Sequence, residues 1–199
     1  MTDAVEAALD MAEGVADALA RHGVATVLIG AAAMAVHGYP RATQDLDLAT
    51  VDVPLDTLRA VAQALREAGH AVTLREPDAD DPLGGLLRVE AGDDLQVDVV
   101  NFGNPWTGAT RRLGRAALDS PTRPLAGRRL AVVDVPTLVL LKLAAGARLD
   151  LRDAAELLGR HPGLDHAALR ARCVALRIDK KLDRVLADLA PPEDDEPVP

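Results

Sequence analysis

The chain has 199 residues, 49% of them hydrophobic and 27% charged, a composition that supports a buried core and excludes a disordered or fibrous protein. Lys and Arg total 22 against 31 Asp and Glu, and the resulting charge of −9 disfavours broad nonspecific nucleic-acid binding, leaving local basic patches to be judged one by one. A single cysteine, Cys173, excludes a disulfide framework and a CxxC zinc knuckle, and with only Tyr39, Phe102 and Trp106 as aromatics there is little to build a base-stacking surface from.

Residues 4–21 carry Val5, Ala8, Leu9, Ala12, Val15 and Leu19 at helical spacing, with Gly23 just past the end, so an amphipathic helix is expected first. Residues 25–29 are a short apolar run ending at Gly30, followed by an Ala-rich stretch to His37 and a stop at Gly38-Tyr39-Pro40, which reads as strand, tight turn, helix and loop. A strand over 45–51, a helix over 55–68 closed by Gly69, and a strand over 71–74 follow. The run EPDADDPLGG (76–85) reads as a loop, and the strands 86–90 and 95–102 flank a hairpin turn at Ala91-Gly92-Asp93-Asp94. A helix over 105–119 and a short hairpin over 123–133, turning at Ala126-Gly127, complete the sheet region. From Thr137 onward the period is helical, in segments of 137–146, 150–160, 165–176 and 179–189. The expected division is a core over 1–134, a helical region over 135–190 packed on it, and a frayed acidic tail, PPEDDEPVP, over 191–199. No apolar run reaches the ~18 residues of a membrane span, and the acidic start MTDAVEAALD lacks a secretory signal's basic segment and apolar core. A cytoplasmic protein with no membrane partner is therefore expected, and the Ala, Arg, Asp and Leu richness looks like a high-GC bacterial coding bias.

The chemistry-bearing stretch is VLIGAAAMAVHGYPRATQDLDLAT. Asp45 and Asp47, one residue apart on a strand, project from the same face while Leu46 and Leu48 face the core. Two such carboxylates repel each other unless something positive lies between them, and a hard divalent cation such as Mg²⁺ answers that need; the plain alternative is an edge strand with solvated acids. Asp98, inside the strongly β stretch 95–100, is a third carboxylate that calls for a partner. If the two strands are neighbours, the three acids converge, and three carboxylates holding two metal ions suit an in-line phosphoryl or nucleotidyl transfer. Arg41 and Thr43 precede the acids in a loop, where Arg41 is placed to reach a phosphate or an acceptor; a solvated loop arginine is the alternative.

The order Gly30-Ala31, thirteen residues, Asp45-Leu46-Asp47-Leu48 and a later strand Asp98 resembles the nucleotidyltransferase superfamily of polymerase-β-like fold, whose signature is hG[GS] followed by a hydrophobic-flanked DxD. More narrowly, GAAAMAVHGYPRATQDLDL resembles the AbiEii-like nucleotidyltransferases, which include toxins of type IV toxin–antitoxin systems and minimal tRNA-modifying toxins. In LVLLKLAAGARLDLRDAAELL, Lys142, Asp150 and Asp153 stand where that group has a helical Lys followed by paired acids, so the resemblance spans about residues 25–160. It implies an α+β fold, a mixed sheet flanked by helices with a C-terminal helical region. It also implies a Mg²⁺-dependent enzyme that moves an NMP from an NTP to an acceptor hydroxyl of RNA, tRNA-like, or of protein, releasing pyrophosphate. A toxin role with a cognate antitoxin partner comes with it.

On that reading Asp45, Asp47 and Asp98 are the catalytic and metal-ligating residues, with Asp98 activating the hydroxyl. Gly30, Ala31, Ala32, Arg41 and Lys142 hold the nucleotide, the N–H groups of Ala31 and Ala32 cradling phosphate and Lys142 touching the triphosphate. Thr43, Arg148, Asp150 and Asp153 form a second tier, in which Asp150 also reads as a helix N-cap. Two departures from the pattern, Ala31 in place of Gly or Ser and Leu149 in place of a basic residue that Arg148 would replace, leave an alternative: a non-catalytic binding or antitoxin module on the same scaffold. Six arginines, Arg111, Arg112, Arg115, Arg123, Arg128 and Arg129, make a local basic patch suited to an RNA backbone or, equally, a solvated face; Trp106 reads as a core anchor.

Overall fold

The computed structural model describes residues 3–43, 45–90 and 95–189. The expected turn at 91–94 and the tail at 191–199 lie outside them. Two compact units result, Met1–Leu138 and Val139–Pro199, the division falling inside one helix.

The first unit runs α1 (Asp3–Ala20), β1 (Val27–Ile29), α2 (Gly30–Val36), β2 (Asp45–Val51), α3 (Leu55–Glu67), β3 (Val72–Arg75), β4 (Leu83–Glu90), β5 (Gln96–Phe102), α4 (Arg111–Leu118), β6 (Thr122–Pro124) and β7 (Ala131–Val133), and then enters α5 (Val135–Ala145). Among the described residues seven strands form one mixed sheet in the order β3-β4-β5-β2-β1-β7-β6. β2 lies parallel to β5 and β1 parallel to β7, while the other neighbours are antiparallel. Alternation along the central strands sorts their side chains: Leu46, Leu48, Leu87, Val89, Val97 and Val99 are buried on one face. The same face draws in Leu28 of β1 and the apolar stripe of α3, Leu58, Val61, Ala62 and Leu65. At the C-terminal ends of β2 and β5 the opposite face is covered by α4, whose Gly114 sits so close to Val51 and Phe102 that an added Cβ would lie 2.4 Å from Phe102 Cβ.

The second unit begins with the rest of α5 and adds α6 (Arg148–Arg160), α7 (His166–Leu176) and α8 (Asp179–Leu189). Asp165 caps α7 by accepting from Ala168 N at 2.9 Å, and Leu157, Leu169, Cys173 and Leu182 are buried. Burial pushes the Cys173 thiol up to about 11, against the opposing charge of Arg172, so it is an inert core thiol. No helix among the described residues is long and apolar enough to cross a membrane.

Three expectations change. The strand expected to begin at 86 starts at Leu83: Gly84 and Gly85 do not break it but let it bulge, Gly85 at φ +121°. The helix expected over 105–119 begins only at Arg111, because buried Asn104 accepts from the N–H groups of Trp106 and Thr107 and holds that segment in a turn, while its own Nδ2 donates to Asp78 O and Asp81 O. Trp106 is consequently no core anchor; it is 63% exposed, at the rim of a cavity of about 320 Å³ with Pro54, Pro77 and Pro105.

The turn after β2 rests on Asp52, which has φ +55° and receives Arg111 Nε at 2.6 Å and Arg115 Nη2 at 3.0 Å. Burial raises this carboxyl, but the hydrogen bonds and charges of the two arginines outweigh it and hold it below the usual carboxylate range. Because the folded-state pKa is the lower one, the stabilisation is full above the unfolded value of about 3.9 and is lost as pH falls through the folded value. Asp52→Asn keeps a residue that tolerates this backbone, and should cost about 0.5–1.5 kcal/mol at pH 7, the difference from the parent closing as urea titrations are carried down through pH 4 to pH 2.

Candidate active site

Register places the acids. Asp47 of β2 pairs with Asp98 of β5, Asp98 pairs with Arg88 of β4, and on the other side Asp47 pairs with Ile29 of β1. Paired residues share a face about 4.8 Å apart, so Arg88, Asp98, Asp47 and the Ile29–Gly30 corner form one row across four strands. Asp45 and its partner Gln96 form the next row on the same face, with Gln96 Nε2 donating to Asp45 Oδ1 at 2.5 Å. Leu46 and Leu48 point the other way, into the core, as their alternation predicts.

Asp98 is buried at 6% exposure, and Arg88 holds it with a two-pronged pair, Nε to Oδ1 at 2.8 Å and Nη2 to Oδ2 at 2.7 Å. The guanidinium is raised above its ordinary value, most of all by that hydrogen bonding, with desolvation opposing and the charges of Asp98, Asp45 and Asp47 adding to it. Arg88 therefore senses all three acids. Neither Arg88 nor Gln96 was singled out from the sequence, although the signal was there: Arg88 stands between Leu87 and Val89, a charge inside an apolar stretch, which is the argument that singled out Asp98.

Gly30 opens α2 at φ +69°, and a Cβ built there would lie 1.9 Å from Asp47 Oδ2. Only glycine lets the β1–α2 corner approach this carboxylate so closely. Ile29 gives α2 no side-chain cap, so its first-turn amides, Ala31 and Ala32 among them, are not capped by it. Thr43 braces the entry to β2, its hydroxyl donating to Asp45 O at 3.1 Å and accepting from Asp45 N at 3.2 Å. Arg41, half-buried, lines with Thr43, Asp45, Ala31 and Ala32 part of a largely apolar cavity of about 370 Å³. His37 follows α2, with Nε2 2.7 Å from Val133 O.

Among the described residues no three Asp, Glu, His or Cys side chains are gathered to enclose a metal ion. Asp98, expected to be the third ligand beside Asp45 and Asp47, has both oxygens on Arg88.

Within the second unit Lys142 is joined to Asp150 at 3.0 Å and to Asp153 at 2.8 Å. Asp153 is fully buried and Lys142 only 12% exposed, so the lysine expected on a triphosphate has two carboxylates of its own helical unit as partners. Asp150 is not the N-cap of α6; Ala147 is, and Asp150 sits in the first turn. Arg148 is exposed at the start of that helix. The arginine-rich stretch is also largely spent: Arg111 and Arg115 on Asp52, Arg128 on Glu6, Asp10 and Glu13, Arg129 on Asp17, and Arg123 on Val36 O.

The mixed sheet flanked by helices is a nucleotidyltransferase fold, which solved structures share. The chain is similar to the solution structure of the antibiotic-resistance factor ANT(2'')-Ia, with a TM-score of 0.55 and 15% identity over 95% of this chain and 100% of that one. It is also similar to an antigenic nucleotidyltransferase-like protein from Paracoccidioides brasiliensis, with a TM-score of 0.50 and 16% identity over 92% and 93% of the two chains. No protein-family model matches the chain, and no curated protein matches it.

Two substitutions test this geometry. Gly30→Ala should cost more than about 2 kcal/mol in chemical denaturation, and about 1–2 kcal/mol of that, the left-handed backbone strain, should persist in an Asp47→Ala background where the collision is gone. Lys142→Met strands two acids, one fully buried, and should cost about 3–5 kcal/mol; adding Asp150→Asn and Asp153→Asn should restore most of the loss in the same urea titration.

Proposed function

We propose that the chain is a nucleotidyltransferase that moves an NMP from an NTP to an acceptor hydroxyl. The observation that carries this reading is the placement of Asp45, Asp47 and Asp98 on two paired strands of one sheet face, against a corner where only glycine fits. Acids so placed are of little use to folding, since like charges on neighbouring strand positions destabilise a sheet.

The donor set fits Mg²⁺, because carboxylate oxygens are the ligands a hard divalent cation takes. Asp45 and Asp47 would hold it, with Asp98 joining them once it yields an oxygen from Arg88. Bound there, Mg²⁺ neutralises charge on the phosphates and on the departing pyrophosphate. The chain's own residues do the rest. Gln96 and Thr43 fix the side chain and backbone of Asp45, and Gly30 lets the β1–α2 corner pack directly against the Asp47 carboxylate. The acceptor oxygen attacks the α-phosphorus, the bond to pyrophosphate breaks, and Asp98 receives the hydroxyl proton.

For the acceptor, the engagement of Arg111, Arg115, Arg128 and Arg129 by carboxylates favours a protein hydroxyl over an RNA strand, which needs cations available to its phosphates. The AbiEii-like assignment, a toxin role, an antitoxin partner and a cytoplasmic location rest on the residue pattern. A second reading, a non-catalytic module on this fold, draws on the closed Arg88–Asp98 pair and on Ala31. Incubation with each labelled NTP, Mg²⁺, and extracted protein or total RNA separates them. Label is expected in the protein fraction and should disappear with Asp47→Asn at unchanged thermal stability; no label in either fraction with any NTP sinks the enzymatic reading.

A further inference from the structure

The least expected feature of the acid row is the basic residue that closes it. Arg88 is held by nothing specific to its own strand: β4 could carry any β-forming residue opposite Asp98, yet it carries the one side chain whose two parallel donors match a carboxylate. The pair is asymmetric in exposure. Asp98 is 9% exposed at its side chain and Arg88 42%, so the carboxylate is fixed in the sheet while the arginine has solvent beside it and room to swing away. The charges of Asp45 and Asp47 also act on Arg88, so the guanidinium neutralises part of a three-acid face.

We infer that Arg88 is a built-in counter-cation that occupies the third carboxylate of the site and competes with a divalent ion for it, so that full ion binding requires Arg88 to release Asp98. The inference rests on the reading of Asp45, Asp47 and Asp98 as a cation site. It assigns Arg88 a positioning role: with no ion bound it keeps Asp98 paired and the sheet face stable, and it sets how tightly the acids take an ion. Arg88 lies on the face opposite the core pairs of β4 and β5, Leu87 with Val99 and Val89 with Val97, so packing of the core does not call for it.

The test is the affinity of the nucleotide-free protein for Mn²⁺, read from the electron paramagnetic resonance of free Mn²⁺, alongside thermal melting with and without the ion. Arg88→Met should bind Mn²⁺ about ten- to a hundredfold more tightly than the parent, the factor expected for removing a charged hydrogen-bonded competitor. It should melt lower without ion and gain more from adding it. Arg88→Lys, which keeps the charge and loses the fork, should fall between and guards against a folding defect in the first variant. Adding Asp98→Asn to Arg88→Met should return the affinity to near that of the parent. Equal Mn²⁺ affinity in parent, Arg88→Met and Arg88→Lys overturns the role of Arg88 and leaves the cation site standing. Absence of Mn²⁺ binding in all of them overturns both.

Discussion

The constraint on which the site depends is the crowding of like charges on one sheet face. Asp47 and Asp98 are paired across neighbouring strands, with Asp45 two residues along, and Gly30 brings the backbone of β1–α2 against Asp47 from the other side. At the ~4.8 Å spacing of a sheet, carboxylates repel by an amount that grows as water is excluded. Contacts around them offset it, two prongs from Arg88 on Asp98 and a side-chain amide from Gln96 on Asp45, while Thr43 braces the backbone of Asp45. A protein that kept these residues for folding alone would replace the acids with apolar pairs like those that flank them, since buried ion pairs seldom outdo well-packed hydrophobic ones.

How far this was legible in the sequence depends on the range of the interaction. Strands β2 and β5 and their inward leucines and valines follow from local alternation, and the helices of the second unit from the 3.6-residue period, because both signals reside in neighbouring residues. That Asp47 faces Asp98 is a matter of register between segments some fifty residues apart, which no local pattern encodes. Arg88 escaped for the same reason, its significance lying wholly in the residue across the ladder. Trp106 was misjudged because burial was inferred from residue type, whereas buried Asn104, by accepting from the N–H groups of Trp106 and Thr107, decides where the chain turns. The arginine stretch, a basic patch on paper, meets acids of α1 and the turn after β2 that lie far away in sequence.

The helical unit solves a smaller version of the same problem. Lys142 stands in an otherwise apolar stretch of α5, where a lone ammonium would be costly, and Asp150 and Asp153 of α6 come to it one helical turn apart. The spacing is what makes the pairing possible: residues three apart lie on one helix face, so a single ammonium meets both carboxylates, and the sum is one net negative charge at the edge of a buried cluster. A lysine already satisfied in this way has one remaining donor, which restricts it to a supporting contact with any anionic ligand, in contrast to an exposed lysine with its whole charge to offer.

The two clusters also differ in what a cation would do to them. In the helical unit the positive charge is covalently supplied and nearly buried between the two carboxylates. On the sheet face the guanidinium is the more exposed partner, and its fork is engaged by Asp98. Asp45 and Asp47 stand beside that pair, with Asp47 packed against the Gly30 corner. Carboxylates on one sheet face, a glycine corner packed against one of them and a guanidinium on the exposed side of the pair are the features on which the proposed reading as a site of nucleotidyl transfer rests.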